Sequence, residues 1–180
     1  EFFSQTFGGL SDGKLEGKIS ERLKELKTYD MITDEGGFKP TKFGQKVFWL
    51  RIDPKTAFDI TTHLEDYVKG NKHTFGFLHM ITNLPEFYPR FGVTEKLEEK
   101  MEEIHDNFKH EKLYANQKLD QDWTKSLLIL YYWIDGMTYS NMSQEFNAEP
   151  GDIFQIRQNT EHLAYIIREI ARFWKNQVLV

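Results

Sequence analysis

The sequence contains no cysteine. This absence excludes a disulfide framework, a thiol nucleophile, an iron–sulfur cluster and a cysteine-ligated zinc site. The sequence also lacks an apolar run of about 18 residues, the length that a membrane span requires. Its longest apolar run, Leu127 to Ile134, predicts a buried core helix. We therefore expect a soluble protein of the cytoplasm that does not enter a membrane.

An excess of positive charge is also missing. Lys and Arg number 23 against 28 Asp and Glu, which gives a formal net charge of −5. Because there is no global positive field, any binding to nucleic acid has to be local. Hydrophobic residues make up 39% of the 180 residues and charged residues 28%, which is typical of a folded protein with one large or two small domains. The first residues, Glu1 to Phe7, do not form a secretory signal, and we expect the chain to be part of a longer protein.

Motifs for catalysis and for metal binding are incomplete. The segment from Gly8 to Lys14 has the spacing of a phosphate-binding loop, but Leu15 follows where Ser or Thr would hold Mg²⁺. Glu102 and His105 form one Glu-x-x-His pair, half of a di-iron ligand set, and no second pair exists. No G-x-S-x-G motif is present either. We predict no catalytic residue, no metal and no cofactor within this chain, and a solvated charged helix over 95–111.

The first part of the chain predicts a helix followed by a hairpin. Apolar residues recur every three or four positions from Asp12 to about Thr28, the pattern of an amphipathic helix. Two short strands, Met31–Thr33 and Phe38–Thr41, flank a Gly-Gly turn. A helix before a hairpin is typical of a winged helix. A short element over 42–50 and an amphipathic helix over 55–68 follow.

Beyond a short polar boundary at 70–72 the chain is predicted to be helical throughout. The expected helices cover 75–82, 95–111, 121–135, a short segment from Ser140, and about six turns from Asp152 to Trp174. The sequence thus predicts two domains, 1–70 and 71–180. The fold class is mainly α: a partial winged helix with a small β-hairpin, followed by a helical bundle.

The last helix carries the candidate binding residues. Its apolar positions form one stripe: Ile153, Ile156, Thr160, Leu163, Ile167, Ile170 and Trp174. The opposite face displays Gln155, Gln158, His162, Tyr165, Glu169 and Arg172, with Arg157 at its flank. Amide, imidazole, phenol and guanidinium groups stack on unpaired bases or bind phosphate. An ordinary solvated face, or one buried against another domain, would have the same composition.

The first helix offers a second candidate surface. In winged-helix regulators the helix before the wing lies in the major groove of duplex DNA. Its exposed side here is only weakly basic, with five cations against three acids: Lys14, Lys18, Arg22, Lys24 and Lys27 against Glu16, Glu21 and Glu25.

Several short motifs carry a family resemblance. In the first part they are Ile19, Leu23 and Leu26, then Met31-Ile32, Pro40 to Gly44, and Ile52 to Ala57. In the second part they are Phe77 to Ile81, Trp123 to Lys125, Trp133 to Asp135, and Pro150 to Ile153. The first group resembles the winged-helix region of superfamily two DNA helicases of the archaeal fork-remodelling type, whose relatives include the helicase domain of DNA polymerase theta and spliceosomal and exosome-associated RNA helicases. The second group resembles the helical ratchet domain that follows in this family.

The resemblance implies a role for the last helix. In this family two RecA-like motor domains bind ATP and Mg²⁺, and a long helix lies across the translocating single strand. The resemblance places Asp152 to Trp174 as this ratchet helix. Gln155 stands where the family tends to have a DNA-contacting Arg, and His162 where it has a base-stacking Trp, so both contacts are expected to be weaker.

The sequence therefore predicts the accessory C-terminal part of an ATP-dependent DNA helicase, inactive without its motor domains. Its partners would be single-stranded DNA or RNA and the motor domains of the same parent chain. The residues predicted to bind nucleic acid are Gln155, Arg157, Gln158, His162, Tyr165 and Arg172. Two alternatives stay open: a stand-alone winged-helix regulator or adaptor, and a structural brace with no affinity for nucleic acid.

Overall fold

The computed structural model describes residues 15–69, 73–91, 97–98, 107 and 121–178. Several predictions lie outside these ranges: the Gly8 to Lys14 loop, the boundary at 70–72, and most of the helix over 95–111 with Glu102 and His105. Within them the chain forms seven helices and one two-stranded antiparallel sheet, which confirms the mainly α fold class. The chain divides into two compact units, Glu1–Phe58 and Asp59–Val180. The predicted domain boundary near residue 70 stays a prediction.

The first unit contains the predicted helix and hairpin. Its elements are α1 (Leu15–Thr28), β1 (Ile32–Thr33), β2 (Lys39–Pro40), α2 (Lys42–Leu50) and the first turn of α3 (Pro54–Lys69). In the hairpin Ile32 pairs with Pro40 and Thr33 with Lys39. Gly36 and Gly37 adopt φ values of 72° and 107°, which side chains other than glycine rarely tolerate. The two glycines therefore permit the turn that reverses the chain.

Helix α2 packs closely on the backbone before the hairpin. The Thr41 side chain caps α2 by accepting a hydrogen bond from the Gly44 amide at 3.0 Å. The Thr41 amide in turn donates to the Met31 carbonyl, also at 3.0 Å. A Cβ atom on Gly44 would lie 2.0 Å from that carbonyl oxygen. Only glycine fits at this contact. Phe43 and Val47 are the buried side chains of α2.

The second unit is a bundle of helices. After the rest of α3 it contains α4 (Thr74–Asn83), α5 (Gln121–Ile134), α6 (Tyr139–Phe146) and α7 (Pro150–Val178). Helix α4 packs on α5 and α7, and α6 packs on the same two helices. The largest fully buried side chains of these helices are apolar, and we infer that their burial stabilises the unit. They include Phe75, Met80, Ile81, Leu127, Leu128, Ile129, Leu130, Met142, Phe146 and Ile153.

The boundaries of the last two helices differ from the prediction. Helix α6 begins at Tyr139, one residue before the predicted start, because the Thr138 side chain accepts a hydrogen bond from the Asn141 amide at 3.3 Å. Helix α7 begins at Pro150, since proline is favoured at a first helical position, where its missing N–H leaves no bond unmade. With 29 residues, α7 is longer than the six turns predicted.

Candidate nucleic-acid interface

Helix α7 has one buried side, and the predicted stripe is confirmed. Six of its seven members are buried: Ile153, Ile156, Thr160, Leu163, Ile167 and Ile170. Ile166 is buried as well, although it was not assigned to the stripe. Trp174 is half-buried, and its indole N–H donates to the Thr61 hydroxyl at 3.3 Å. With this side packed, the opposite side of α7 faces solvent.

Most of the residues predicted to bind nucleic acid lie on the exposed side of α7. Gln155, Gln158, His162 and Arg172 are exposed, and Tyr165 exposes 48% of its surface. At a rise of about 1.5 Å per residue, the row from Gln155 to Arg172 extends over about 25 Å. The structure thus brings these side chains together as one row, with a polar or aromatic group at nearly every turn.

Arg157 differs from the other residues predicted to bind nucleic acid because its guanidinium group already contacts several side chains of this chain. Its guanidinium carbon lies 5.2 Å from the ring centroid of Phe154 and 5.7 Å from that of Trp133. Its Nη1 donates to the Tyr139 hydroxyl at 3.0 Å, and its Nε lies 3.3 Å from a carboxylate oxygen of Glu161. These contacts join α5 and α6 to the start of α7. We expect Arg157 to hold this junction rather than to bind a phosphate.

The middle of the row contains an aromatic and cationic cluster that sequence reasoning found only in part. The Arg168 guanidinium carbon lies 4.9 Å from the ring centroid of Tyr165. The Glu169 carboxylate forms ion pairs with the guanidinium groups of Arg168 and Arg172, with N–O distances of 3.4 Å and 3.1 Å. The two arginines therefore offset the charge of Glu169. Arg168 was missed, although its position three residues after Tyr165 is the spacing at which helix side chains meet.

A buried lysine fastens the start of α7. The Lys125 ammonium group donates to the Asn147 carbonyl oxygen at 3.0 Å, where Asn147 ends α6 in a left-handed conformation. Burial lowers the pKa of Lys125, and the carboxylate of Asp152 partly opposes that shift. Asp152 lies in the first turn of α7. Lys125 thus connects α5 to the turn from which α7 begins.

A loop after α4 is hydrogen-bonded to the side of α7. The Asn159 side chain accepts from the Tyr88 amide at 3.1 Å and donates to the Glu86 carbonyl at 3.4 Å. Tyr88 exposes 70% of its surface. Asn159 thereby holds the backbone of the loop that carries this exposed ring. No local sequence pattern indicates this contact, because Asn159 and its partners lie more than seventy residues apart.

The alternative surface on α1 is less basic than its sequence indicates. Arg22 forms an ion pair with Glu25 at 2.5 Å, and Lys27 forms another with Asp34. Two of the five predicted cations therefore already have acidic partners. Exposed pairs of this kind contribute little to stability, but they reduce the charge available to a DNA backbone.

The described residues do not bring together the side chains of a metal site. In that part of the chain no three His, Asp or Glu side chains lie close enough to hold a metal ion. His79 is fully buried and stacks on Trp123 with 4.9 Å between ring centroids, so it belongs to the core. The absence of metal, cofactor and catalytic residues stays a prediction. No helix in the described ranges has the length and apolar character to cross a membrane.

The fold defines the class of this protein. It is a mainly α protein in which a helix and a hairpin precede a helical bundle that includes one long helix, α7. Residues 75–180 match the family described as archaeal helicase, domain 4. The chain belongs to this family, and the resemblance seen in its motifs is confirmed.

Curated relatives extend the similarity to nearly the whole chain. The ATP-dependent DNA helicase Hel308 of Pyrococcus abyssi is 31% identical over 96% of this chain, and that of Pyrococcus horikoshii is 27% identical over 96%. Hel308 of Methanocaldococcus jannaschii is 25% identical over 95%. The chain spans 25% of the length of each of the first two relatives and 14% of the third. The similarity therefore covers one part of a much longer helicase.

Proposed function

We propose that this chain is the C-terminal accessory part of an ATP-dependent DNA helicase and that the exposed face of α7 guides a single strand during unwinding. In this proposal ATP and Mg²⁺ bind to motor domains in another part of the parent protein. The observation that carries the proposal is the continuous row of stacking and hydrogen-bonding groups on α7, from Gln155 to Arg172.

The chemistry of this row favours a single strand over a duplex. Tyr165 and His162 offer flat rings to unpaired bases, whereas the bases of a duplex are already stacked on one another. Gln155 and Gln158 can bond to base edges or to phosphate oxygens. Arg168 and Arg172 share the single carboxylate of Glu169, so this part of the row keeps an excess of one positive charge. DNA is favoured over RNA because the relatives are DNA helicases by name.

We expect the α7 face to bind a single strand with modest affinity. Glutamine is uncharged, so Gln155 attracts a phosphate less strongly than an arginine would. The imidazole of His162 offers less stacking area than an indole. We therefore expect the strand to be held by many weak contacts, a property that suits a surface along which the strand has to move.

The test is the double variant Gln155→Ala with His162→Ala. We expect it to weaken the binding of a fluorescein-labelled 20-nucleotide single strand by about tenfold, because each base stacked on a side chain contributes about 1–3 kcal/mol. Fluorescence anisotropy at constant salt gives the dissociation constant. Both residues are exposed, so the folded structure should be unchanged, as circular dichroism can check.

The matched control is Gln144→Ala, which removes an exposed amide from α6. It should leave the dissociation constant within twofold of the unmodified chain. Equal affinity of the double variant and the control would show that the α7 face does not hold the strand.

A further inference from the structure

One side chain in the row on α7 has the wrong charge for contact with a phosphate backbone. Glu169 lies between Tyr165 and Arg172 in the sequence, and 16% of its side chain is exposed. A carboxylate at this place repels the phosphates of a strand that follows the row. The presence of this acid therefore has to be explained by the side chains around it.

Two arginines meet at the Glu169 carboxylate. The Arg168 Nη2 atom lies 3.4 Å from Glu169 Oε1, and Arg172 Nη1 donates a hydrogen bond to the same oxygen at 3.1 Å. The side chains of Arg168 and Arg172 are 54% and 65% exposed, far more than the acid that joins them. A strand can therefore reach the guanidinium groups more readily than the carboxylate.

These two arginines are also the cations that a strand would contact in this part of α7. The guanidinium of Arg168 lies over the ring of Tyr165, so a positive charge and a stacking surface occur side by side. A guanidinium binds a carboxylate and a phosphate through the same fork of N–H donors. A phosphate oxygen and the Glu169 carboxylate therefore compete for the same donors.

We infer that Glu169 competes with the phosphates of the strand for Arg168 and Arg172, and that this competition weakens binding and speeds release of the strand. The inference rests on the proposed function of α7. When a phosphate leaves the guanidinium groups, the carboxylate takes its place, so the positive charges regain a counter-charge at once. This exchange suits a surface along which a strand moves, because each phosphate contact is broken at a lower cost.

The first test removes the charge of Glu169 and keeps its size. Glu169→Gln should tighten the binding of fluorescein-labelled oligo(dT) of 20 nucleotides about fivefold, the upper range for one exposed ion pair. The slope of log affinity against log salt should steepen by about 0.7, because one further phosphate contact forms. Glu169→Asp keeps the charge and should keep the slope of the unmodified chain. Unchanged affinity and slope in Glu169→Gln would overturn the inference.

The second test measures release of the strand. The complex with labelled oligo(dT) is mixed with excess unlabelled oligo(dT) in a stopped-flow instrument, and the fall in anisotropy gives the dissociation rate. This rate should be about fivefold lower in Glu169→Gln, since affinity differences among variants of one interface lie mainly in dissociation. Tighter binding with an unchanged dissociation rate would contradict a role of Glu169 in release.

Glu161→Gln is the matched control, because it makes the same charge change on the same helix. Glu161 also pairs with an arginine, Arg157. The rings of Trp133 and Phe154 lie against that guanidinium, so it is not available to a phosphate. The control should keep the salt slope of the unmodified chain. An equal change of slope in both variants would show a general effect of net charge and would overturn the inference.

The effect of Glu169 should also require its two arginine partners. In a chain that carries Arg168→Gln and Arg172→Gln, adding Glu169→Gln should change the affinity by less than about twofold, because the donors that it competes for are gone. A gain in affinity as large as that in the unmodified background would show that Glu169 does not act through these arginines.

The variant Gln155→Ala with His162→Ala separates this inference from the α7 proposal. If that variant weakens binding and Glu169→Gln changes nothing, the strand-guiding proposal holds and the role of Glu169 is wrong. If that variant binds as tightly as the unmodified chain, the strand-guiding proposal is wrong and the role of Glu169 is lost with it.

Discussion

Gly44→Ala is expected to destabilise the first unit strongly. The new Cβ would lie 2.0 Å from the Met31 carbonyl oxygen, and this neighbour is backbone, which cannot rotate away as a flexible side chain can. Helix α2 would have to separate from the segment before the hairpin and lose the bond from the Thr41 amide to Met31. We expect a loss on the order of 3 kcal/mol in the free energy of unfolding of this unit.

Hydrogen exchange in increasing urea measures this loss directly. The amides of Met31 and Thr41 donate to backbone carbonyls in the native unit and should exchange much faster in the variant. Gly17→Ala is the matched control, because no atom lies within 4 Å of a Cβ at this exposed helix position. It should stabilise α1 by about 0.5–1 kcal/mol. Similar stabilities of the two variants would contradict the close packing of α2.

Phe146→Ala should have the largest effect in the second unit. Phe146 exposes 1% of its surface, and its ring lies 5.7 Å from that of Tyr132 on α5, measured between centroids. Removing the ring leaves a cavity between α5 and α6 and loses buried apolar surface. Such substitutions cost about 3–5 kcal/mol. Thermal unfolding followed by circular dichroism should show a clearly lower Tm.

Phe154→Ala provides a control with the same chemical change. Phe154 lies on α7 with 44% of its surface exposed, and its ring lies beside the Arg157 guanidinium. Its loss should cost about 1 kcal/mol or less. If the two alanine variants unfold at the same temperature, Phe146 does not belong to the core described above.

Much of the fold could be predicted because its local signals agree with one another. The three- and four-residue spacing of α7 predicted six buried positions, and Gly36 and Gly37 occupy the turn that they predicted. The errors lie at helix ends, as at Tyr139 and Pro150, where one capping hydrogen bond or one proline decides the boundary.

For the candidate site, the sequence could predict which side of α7 the residues occupy but not the contacts that each side chain makes. Periodicity placed Gln155, His162 and Tyr165 on one side of α7, but it could not show that Arg157 is occupied by Trp133 and Tyr139. These contacts join residues far apart in the sequence. The exposure of Phe48 and Trp49 on α2 was not predicted, because large aromatic residues in a sequence look like core residues and only the structure shows that these two face solvent.

The most direct test of the central claim is a competition experiment with the unmodified chain. A fluorescein-labelled single strand is titrated at two salt concentrations, with an unlabelled single strand or the matching duplex as competitor. We expect the unlabelled single strand to displace the labelled strand at a much lower concentration than the duplex, with a shallow dependence on salt, because stacking contributes much of the affinity. Preference for the duplex with a steep salt dependence, or no binding of the single strand, would contradict it.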